Sequence, residues 1–460
     1  MEIEFFGAAG EVTGSCHIIR VGKRQVLLDC GMIQGGRRNE KRNHNPFPFE
    51  PAEIDAVVLS HAHIDHSGRL PLLVKRGFSG PIYTQNASRD LARILLSDSA
   101  FLQEMEAERR NRKRQRQGKA PIEPLYRQSD AQECVHLLKG QRYAQWFDVT
   151  EGIRARFLDA GHIMGSTVVE VESTLAPERR LVFSGDLGQY DTPILRDPVS
   201  PESADLVLME TTYGGRHHRD RSETIKEIGE VIAQARADHG NILIPAFAVG
   251  RSQEILYQLG MHYDEWGVDR WNVFLDSPLA IEASDIYWNY PHLYDEEAAE
   301  LVKMRTMPPL PNLQLSRSRE DSQAINRMDS GAIIIAGSGM CTGGRIMHHL
   351  KHNLWRPQCH VVFVGFQAPG STGRLIVDRR EYVKIHGQTI RVAAQIHTVG
   401  GLSAHADQGD LLRWYGGIEN RPPVYLVHGE VESGEQFSRA LSDRHGAHAT
   451  VSEPGLKLKV

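Results

Sequence analysis

Cysteine is scarce in this sequence and shows no pattern. Five cysteines stand in 460 residues, at positions 16, 30, 134, 341 and 359, an odd number without C-x-x-C spacing. Neither a disulfide framework nor a thiolate zinc site fits that distribution, and a reduced, cytoplasmic compartment is the expectation. No apolar run approaches the ~20 residues needed to span a bilayer, so no membrane partner is expected. The opening residues Met1-Glu2-Ile3-Glu4 lack a basic segment leading into an apolar one, so no secretory signal is expected either. Positive charge is not in excess: 53 Lys plus Arg stand against 58 Asp plus Glu. A uniformly basic nucleic-acid coat is thereby excluded, whereas one local basic groove is not. Low-complexity linkers and internal repeats are also missing. What remains is ordinary globular composition, 40% hydrophobic and 24% charged, with length for two or three domains. The unusual feature is 22 histidines.

The chain opens β-rich. Cys16–Arg20 and Gln25–Leu28 are short apolar runs either side of Gly22, and Ala56–Leu59 is a third. Residues 87–116 form a long turn-free stretch that predicts a helix, ended by Gly118 and Pro121. Its basic tail, Arg109–Lys119, has no acidic residue; the plainer reading is a solvated helix, the alternative an RNA contact. Gly152–Leu158 and Arg180–Ser184 predict further strands. From about residue 205, strand-like runs alternate with amphipathic ones such as Ser222–Ala237 and Ser252–Leu259, which favours a parallel sheet with covering helices. From about Val383 the pattern is strand-like again. The boundaries this suggests are 1–205 for a first domain, 206–380 for an α/β insertion and 381–460 for a return to the first domain.

The strongest signal is Ser60-His61-Ala62-His63-Ile64-Asp65-His66-Ser67-Gly68, directly after a buried-strand pattern. In extended chain, i and i+2 point the same way, so His61 and His63 present two imidazoles to one point. Asp65 and His66, at the start of a helix, can face a second point nearby. Nitrogen and carboxylate donors without thiolate suit zinc best, with manganese left open. Further ligands are needed, and His162 and Asp186 each follow a strand-like run, where sites in mixed folds gather. Asp29, ending Val26-Leu27-Leu28, is the expected orienting carboxylate for a liganding histidine.

Taken in order, Asp29, the H-x-H-x-D-H run, His162 and Asp186 resemble the motifs of metallo-β-lactamase-fold hydrolases. The resemblance implies an α/β fold, an αββα sandwich with a dinuclear zinc site at its edge. It implies His61, His63 and His162 on one metal, Asp65 and His66 on the other, and Asp186 between them. Three later segments extend it. Glu210-Thr211-Thr212-Tyr213-Gly214, Ser403-Ala404-His405-Ala406-Asp407 and Val427-His428-Gly429-Glu430 resemble motifs A, B and C of the β-CASP nucleases. Pro245-Ala246-Phe247, Gly250-Arg251, Asp276-Ser277-Pro278 and Gly337-Ser338-Gly339-Met340 with Gly343-Gly344 are similar to the same family. The likeness runs across nearly the whole chain and is greatest to short bacterial and archaeal relatives of the cleavage-and-polyadenylation endonuclease. It implies an inserted α/β β-CASP domain with a mainly parallel sheet.

The expected activity is zinc-dependent hydrolysis of single-stranded RNA between the two domains. Two divalent cations, two ligand carboxylates and a bridging hydroxide sum to roughly +1, which favours an anionic phosphodiester over a neutral amide. Catalysis is expected from Asp65, Asp186, Glu210 and His405. By the resemblance, His405 is the general acid, oriented by Glu210, and His428 completes the second metal's shell. Histidine rather than valine at motif C implies RNA rather than DNA. Phosphate contacts are expected at strand-end loops and strand-to-helix turns: Arg251, Ser338, Gly339, Met340, Gly343, Gly344, Arg345, Ser371 and Arg374. A DNA nuclease of the same fold and a silent RNA-binding subunit are the alternatives. Endonuclease and 5′-exonuclease action, and a monomer or a homodimer, are equally compatible with the sequence.

Overall fold

The structure is a computed structural model that describes residues 1–304, 307, 308 and 310–460, with Arg37 and Met304 described by backbone alone. The chain divides into two compact units, Met1–His217 with His405–Val460, and His218–Ala404. These bounds correct the expected ones at both ends. The strand Leu206–Glu210 lies in the first unit because it pairs in parallel with both Arg179–Phe183 and Val424–Val427. The strand Gln395–Thr398 lies in the second because it pairs with His360–Phe363. The strand-like stretch expected from about Val383 is in fact broken into separate strands. Gln388–Arg391 closes a hairpin with Tyr382–Ile385, and the chain then shifts to Gln395–Thr398. The hairpin turn is His386-Gly387, both at positive φ, as a two-residue turn matching strand twist requires.

The first unit contains two seven-stranded sheets. One face of each meets the other in a shared core of Ile3, Phe5, Val26, Leu28 and Val58 against Phe157, Val169, Leu181, Phe183 and Leu208. Alternation along a strand decides which face a side chain serves. Leu206 and Leu208 point into this core, while Val207 and Met209 point to the outer face. There the helices Gln408–Gly416 and Val431–His445 cover them with Trp414, Tyr415, Phe437 and Leu441. On the other outer face, the predicted long helix spans Asn86–Arg116 and packs beside the strands Ile82–Gln85 and Leu138–Gln141. Helix–sheet–sheet–helix layering follows.

The second unit is built on a six-stranded sheet whose strands all run parallel. Ala332–Ala336 and Ile242–Pro245 are buried at every position, the near-continuous apolar run of a sheet covered on both faces. Ile242, Ile244, Ile333 and Ile335 face one helical layer, and Leu243, Ile334 and Ala336 face the other. The five cysteines are buried and carry no disulfide. No helix among the described residues is long and apolar enough to cross a membrane.

Candidate metal centre

The cluster belongs wholly to the first unit and is assembled from strand ends. His61 and His63 follow Ala56–Val58, with Asp65 and His66 on the single turn Ile64–Ser67. His162 follows Ile153–Asp159, Asp186 follows Arg179–Phe183, and His428 follows Val424–Val427 directly. Two glycines allow the loops to close up. A Cβ on Gly31 would lie 1.5 Å from the Asp65 carbonyl oxygen, and one on Gly188 would lie 1.9 Å from that of Gly161. Any side chain at either position would push the ligand-bearing loops apart.

Two donor sets result, His61, His63, His162 and Asp186, and Asp65, His66 and His428. In the first, His63 Nδ1 lies 3.1 Å from both His61 Nε2 and His162 Nε2, and Asp186 Oδ2 lies 3.5 Å from His61 Nε2. In the second, His66 Nε2 lies 3.0 Å from His428 Nε2, which is 3.5 Å from Asp65 Oδ2. Asp186 reaches both sets, its Oδ1 being 3.2 Å from His66 Nε2.

The surrounding hydroxyls and carboxylates determine which ring nitrogens carry protons. Ser60 Oγ–H donates to Asp29 Oδ2 at 3.0 Å, so the same oxygen can only accept from His61 Nδ1–H, at 3.1 Å. His66 Nδ1–H donates to Asp29 Oδ2 at 2.7 Å. Thr212 Oγ1–H donates to the His428 carbonyl at 3.1 Å and so accepts from His428 Nδ1–H at 3.0 Å. With Nδ1 so engaged, each of these rings directs its Nε2 into the cluster, where it offers a lone pair once free of a proton. Lone pairs about 3 Å apart repel unless a cation lies between them, and nitrogens around a tetrahedral zinc at about 2.0–2.1 Å stand roughly 3.3 Å apart. Asp186 Oδ1 is buried and makes no hydrogen bond, a costly state for a carboxylate oxygen without a ligand. The residues present thus fit a divalent metal.

Electrostatics agree for the first set. Burial depresses both His61 and His63, the latter to about 4, which favours neutral rings able to accept a metal at neutral pH. Burial acts against charge on His66 as well, but the facing Asp186 and Asp29 carboxylates outweigh it and raise that proton's pKa. Metal binding there must release it. Asp29 is fully buried and is held by Ser15 Oγ, Ser60 N and Ser60 Oγ besides His66.

Beside the cluster stands His405, its side chain 21% exposed, with Nδ1 3.3 Å from Glu210 Oε1. Glu210 is fully buried and accepts from the backbone N–H of Leu187 at 2.6 Å and of Thr212 at 3.3 Å. Burial opposes charge on His405, but Glu210, then Asp186 and Asp65, raise it to about 9. His405 belongs to neither donor set, whereas Glu210 groups with Asp186 and His428.

The expected ligand positions all converge, together with Asp29, Glu210 and His405. The expected phosphate contacts, all in the second unit, divide. Ser338 through Gly344 form a loop after Ala332–Ala336, with Ser338 Oγ accepting from Thr342 N. Ser371 caps the turn that carries Arg374, which pairs with Asp378 on a half-exposed surface. Arg345 is corrected: its guanidinium donates to buried Asp276 and to the carbonyls of Ser316 and Arg317. Arg251 is corrected as well, being 7% exposed and paired with Glu254. A strand-to-helix position does not tell an outward arginine from one turned inward as a brace. Of the seven basic residues from Arg109 to Lys119, three pair with glutamates just before the run, Arg109 and Arg110 with Glu106 and Arg112 with Glu108. Ser60 and Thr212 were missed as tautomer-setting residues. Their positions beside His61 and after Glu210 were visible, but a lone hydroxyl carries no signal until its partners are placed.

Comparison with known proteins agrees with this geometry. Residues 9–244 match the metallo-β-lactamase superfamily model, 252–376 a β-CASP domain, and 389–452 a Zn-dependent metallo-hydrolase RNA specificity domain. A ribonuclease of Thermus thermophilus, TTHA0252, is 41% identical over 445 residues, 96% of each chain. The transcription termination factor FttA of Thermococcus kodakarensis is 31% identical over 97% of this chain and 69% of its own. A solved structure of a protein of unknown function from Enterococcus faecalis shares the fold over 100% of this chain, with TM-score 0.55 and 12% identity. With family models matching 9–244, 252–376 and 389–452, and a relative 41% identical over 96% of both chains, the chain belongs to the β-CASP family of the metallo-β-lactamase superfamily.

Proposed function

We propose that the chain is a metal-dependent ribonuclease that hydrolyses phosphodiester bonds of single-stranded RNA. The observation that carries this reading is the pair of donor sets sharing Asp186, with the His405–Glu210 pair beside them and outside both. Two zinc ions would suit the sets: His61, His63 and His162 would hold one, Asp65, His66 and His428 the other, with Asp186 shared. When bound there, such ions supply Lewis-acid polarisation of a phosphoryl oxygen and acidify water to a pKa of about 7.

The chain's own residues do the rest. Asp29 and Thr212 hold the imidazoles of His66 and His428 in one tautomer and one orientation. His405, kept protonated by Glu210, delivers a proton to the departing ribose oxygen. Phosphates of the strand are received by the backbone of Ser338, Gly339, Met340, Gly343 and Gly344, with Ser371 and Arg374 nearby. RNA is supported by the 41%-identical ribonuclease, by the RNA specificity domain matched over 389–452, and by histidine at position 428. A reduced cytoplasmic setting suits five buried free thiols.

The experiment is a time course on single-stranded RNA labelled at either end, alongside a matched DNA strand, before and after chelation. Chelator-sensitive cleavage of RNA with little of DNA is the expected outcome. Equal rates on both strands would remove the RNA assignment, and cleavage indifferent to chelation would remove the metal.

A further inference from the structure

Two aromatic side chains at one edge of the inserted sheet have no part in the metal cluster. Ala332–Ala336, Ile242–Pro245 and His360–Phe363 are neighbouring parallel strands. Their following loops therefore leave the same edge side by side, roughly 5 Å apart at the strands. The central loop carries Phe247, 46% exposed, and one flanking loop carries Phe366, 52% exposed. The other flanking loop is the small-residue run around Gly339. A Cβ on Gly339 would lie 3.0 Å from the Phe247 ring, so that ring rests against bare backbone. Gln367, next to Phe366, donates from Nε2 to the carbonyls of Gly339 at 3.0 Å and Gly365 at 3.2 Å. The same glycine is thus touched by the Phe247 ring and tied to the Phe366 loop. Pro245 and Phe363 in the strands themselves are buried. The two exposed rings stand outside both core clusters of the inserted sheet.

We propose that Phe247 and Phe366 form a base-stacking platform for single-stranded nucleic acid on the carboxyl edge of the inserted sheet. This rests on the ribonuclease reading above and adds to it the part of the substrate that is held. Flat π faces accept any base, whereas the adjoining Ser338–Gly344 loop, with little side-chain bulk, lets a sugar-phosphate backbone pass close. Stacking is indifferent to the sugar, so this surface contributes affinity without discriminating RNA from DNA.

The test compares a short phosphorothioate RNA strand with an abasic strand of the same length and charge, binding being read by fluorescence anisotropy. Phe247→Ala and Phe366→Ala should each weaken binding of the base-bearing strand by about 5- to 100-fold, the usual effect of losing one stacked base. Binding of the abasic strand should not change. Trp at either position should restore affinity and Leu should not, because Leu supplies apolar bulk without a π face. The loss should be equal on DNA. Equal losses on the base-bearing and abasic strands, rescue by Leu as good as by Trp, or no loss at all would each overturn the platform. Wild-type protein that cleaves RNA while both variants bind normally overturns the platform alone. Wild-type protein that neither binds nor cleaves RNA overturns the ribonuclease reading and the platform with it.

Discussion

Removing the His405 imidazole should stop proton delivery while leaving the metal ligands in place. Its Nδ1 lies 3.3 Å from a Glu210 oxygen, and the residue belongs to neither donor set. At that separation and an effective dielectric constant of about 20, the Glu210 charge favours the imidazolium by about 5 kcal/mol before the burial penalty. That margin favours the charged form of this partly buried imidazole. His405→Ala should lose ~10²–10⁴-fold in rate, the usual contribution of a positioned acid, or about 2.7–5.5 kcal/mol of barrier. Metal content and RNA affinity should remain. The assay is the ratio of rates on natural RNA and on RNA with sulfur replacing the departing ribose oxygen, since a thiolate leaves without a proton. Wild type should gain little from sulfur, and His405→Ala should recover most of its loss. Glu210→Gln should behave as a weaker His405→Ala with an added stability loss of about 1–3 kcal/mol. Its amide can accept from only one of the Leu187 and Thr212 N–H groups without turning NH₂ toward the other. Loss of metal in His405→Ala, or no recovery on the sulfur substrate, would refute the acid assignment.

Three further outcomes are expected. Asp29→Ala strands the buried donors of Ser15 and Ser60 and frees His66, so it should lower Tm and weaken metal binding about 10–100-fold by calorimetric titration. Thr212→Val should cost a similar factor in metal affinity with a far smaller change in Tm, because only the His428 contact is lost. Acid should destabilise the protein through His397, whose pKa burial, His360 and Arg379 lower to about 4. Its contribution is present above the ordinary value of about 6.5 and is lost as pH falls toward 4, so Tm should fall across that window, less steeply in His397→Phe.

The clustering of donors was legible because six residues, 61 to 66, carry four of them on a strand followed by a turn, a pattern that local geometry alone brings together. His162 and Asp186 could be read from the end-of-strand pattern before each, whereas His428 came only through the family resemblance. The boundaries of the insertion were not legible in the same way. Leu206–Glu210 begins the alternating stretch and reads as the first strand of a new sheet, yet its hydrogen bonds go to strands far off in sequence on either side. Gln395–Thr398 poses the converse problem: it follows a hairpin and reads as a return, but it extends the inserted sheet. Partner choice between strands is a long-range property that periodicity does not encode. Arg345 failed for a related reason, since its partners Asp276, Ser316 and Arg317 become neighbours only once two strands pair.

The most direct test is metal stoichiometry and RNA cleavage measured on the same sample, for wild type and for Asp186→Asn, through chelation and readdition. Asp186 is the carboxylate both donor sets share, and its Oδ1 is buried without a hydrogen bond. Wild-type activity should disappear with the metal and return as zinc approaches two ions per chain. Asp186→Asn should bind both ions more weakly and cleave far more slowly at any zinc concentration. Full cleavage by metal-free wild type, or Asp186→Asn with full metal occupancy and full activity, would contradict a ribonuclease built on this cluster.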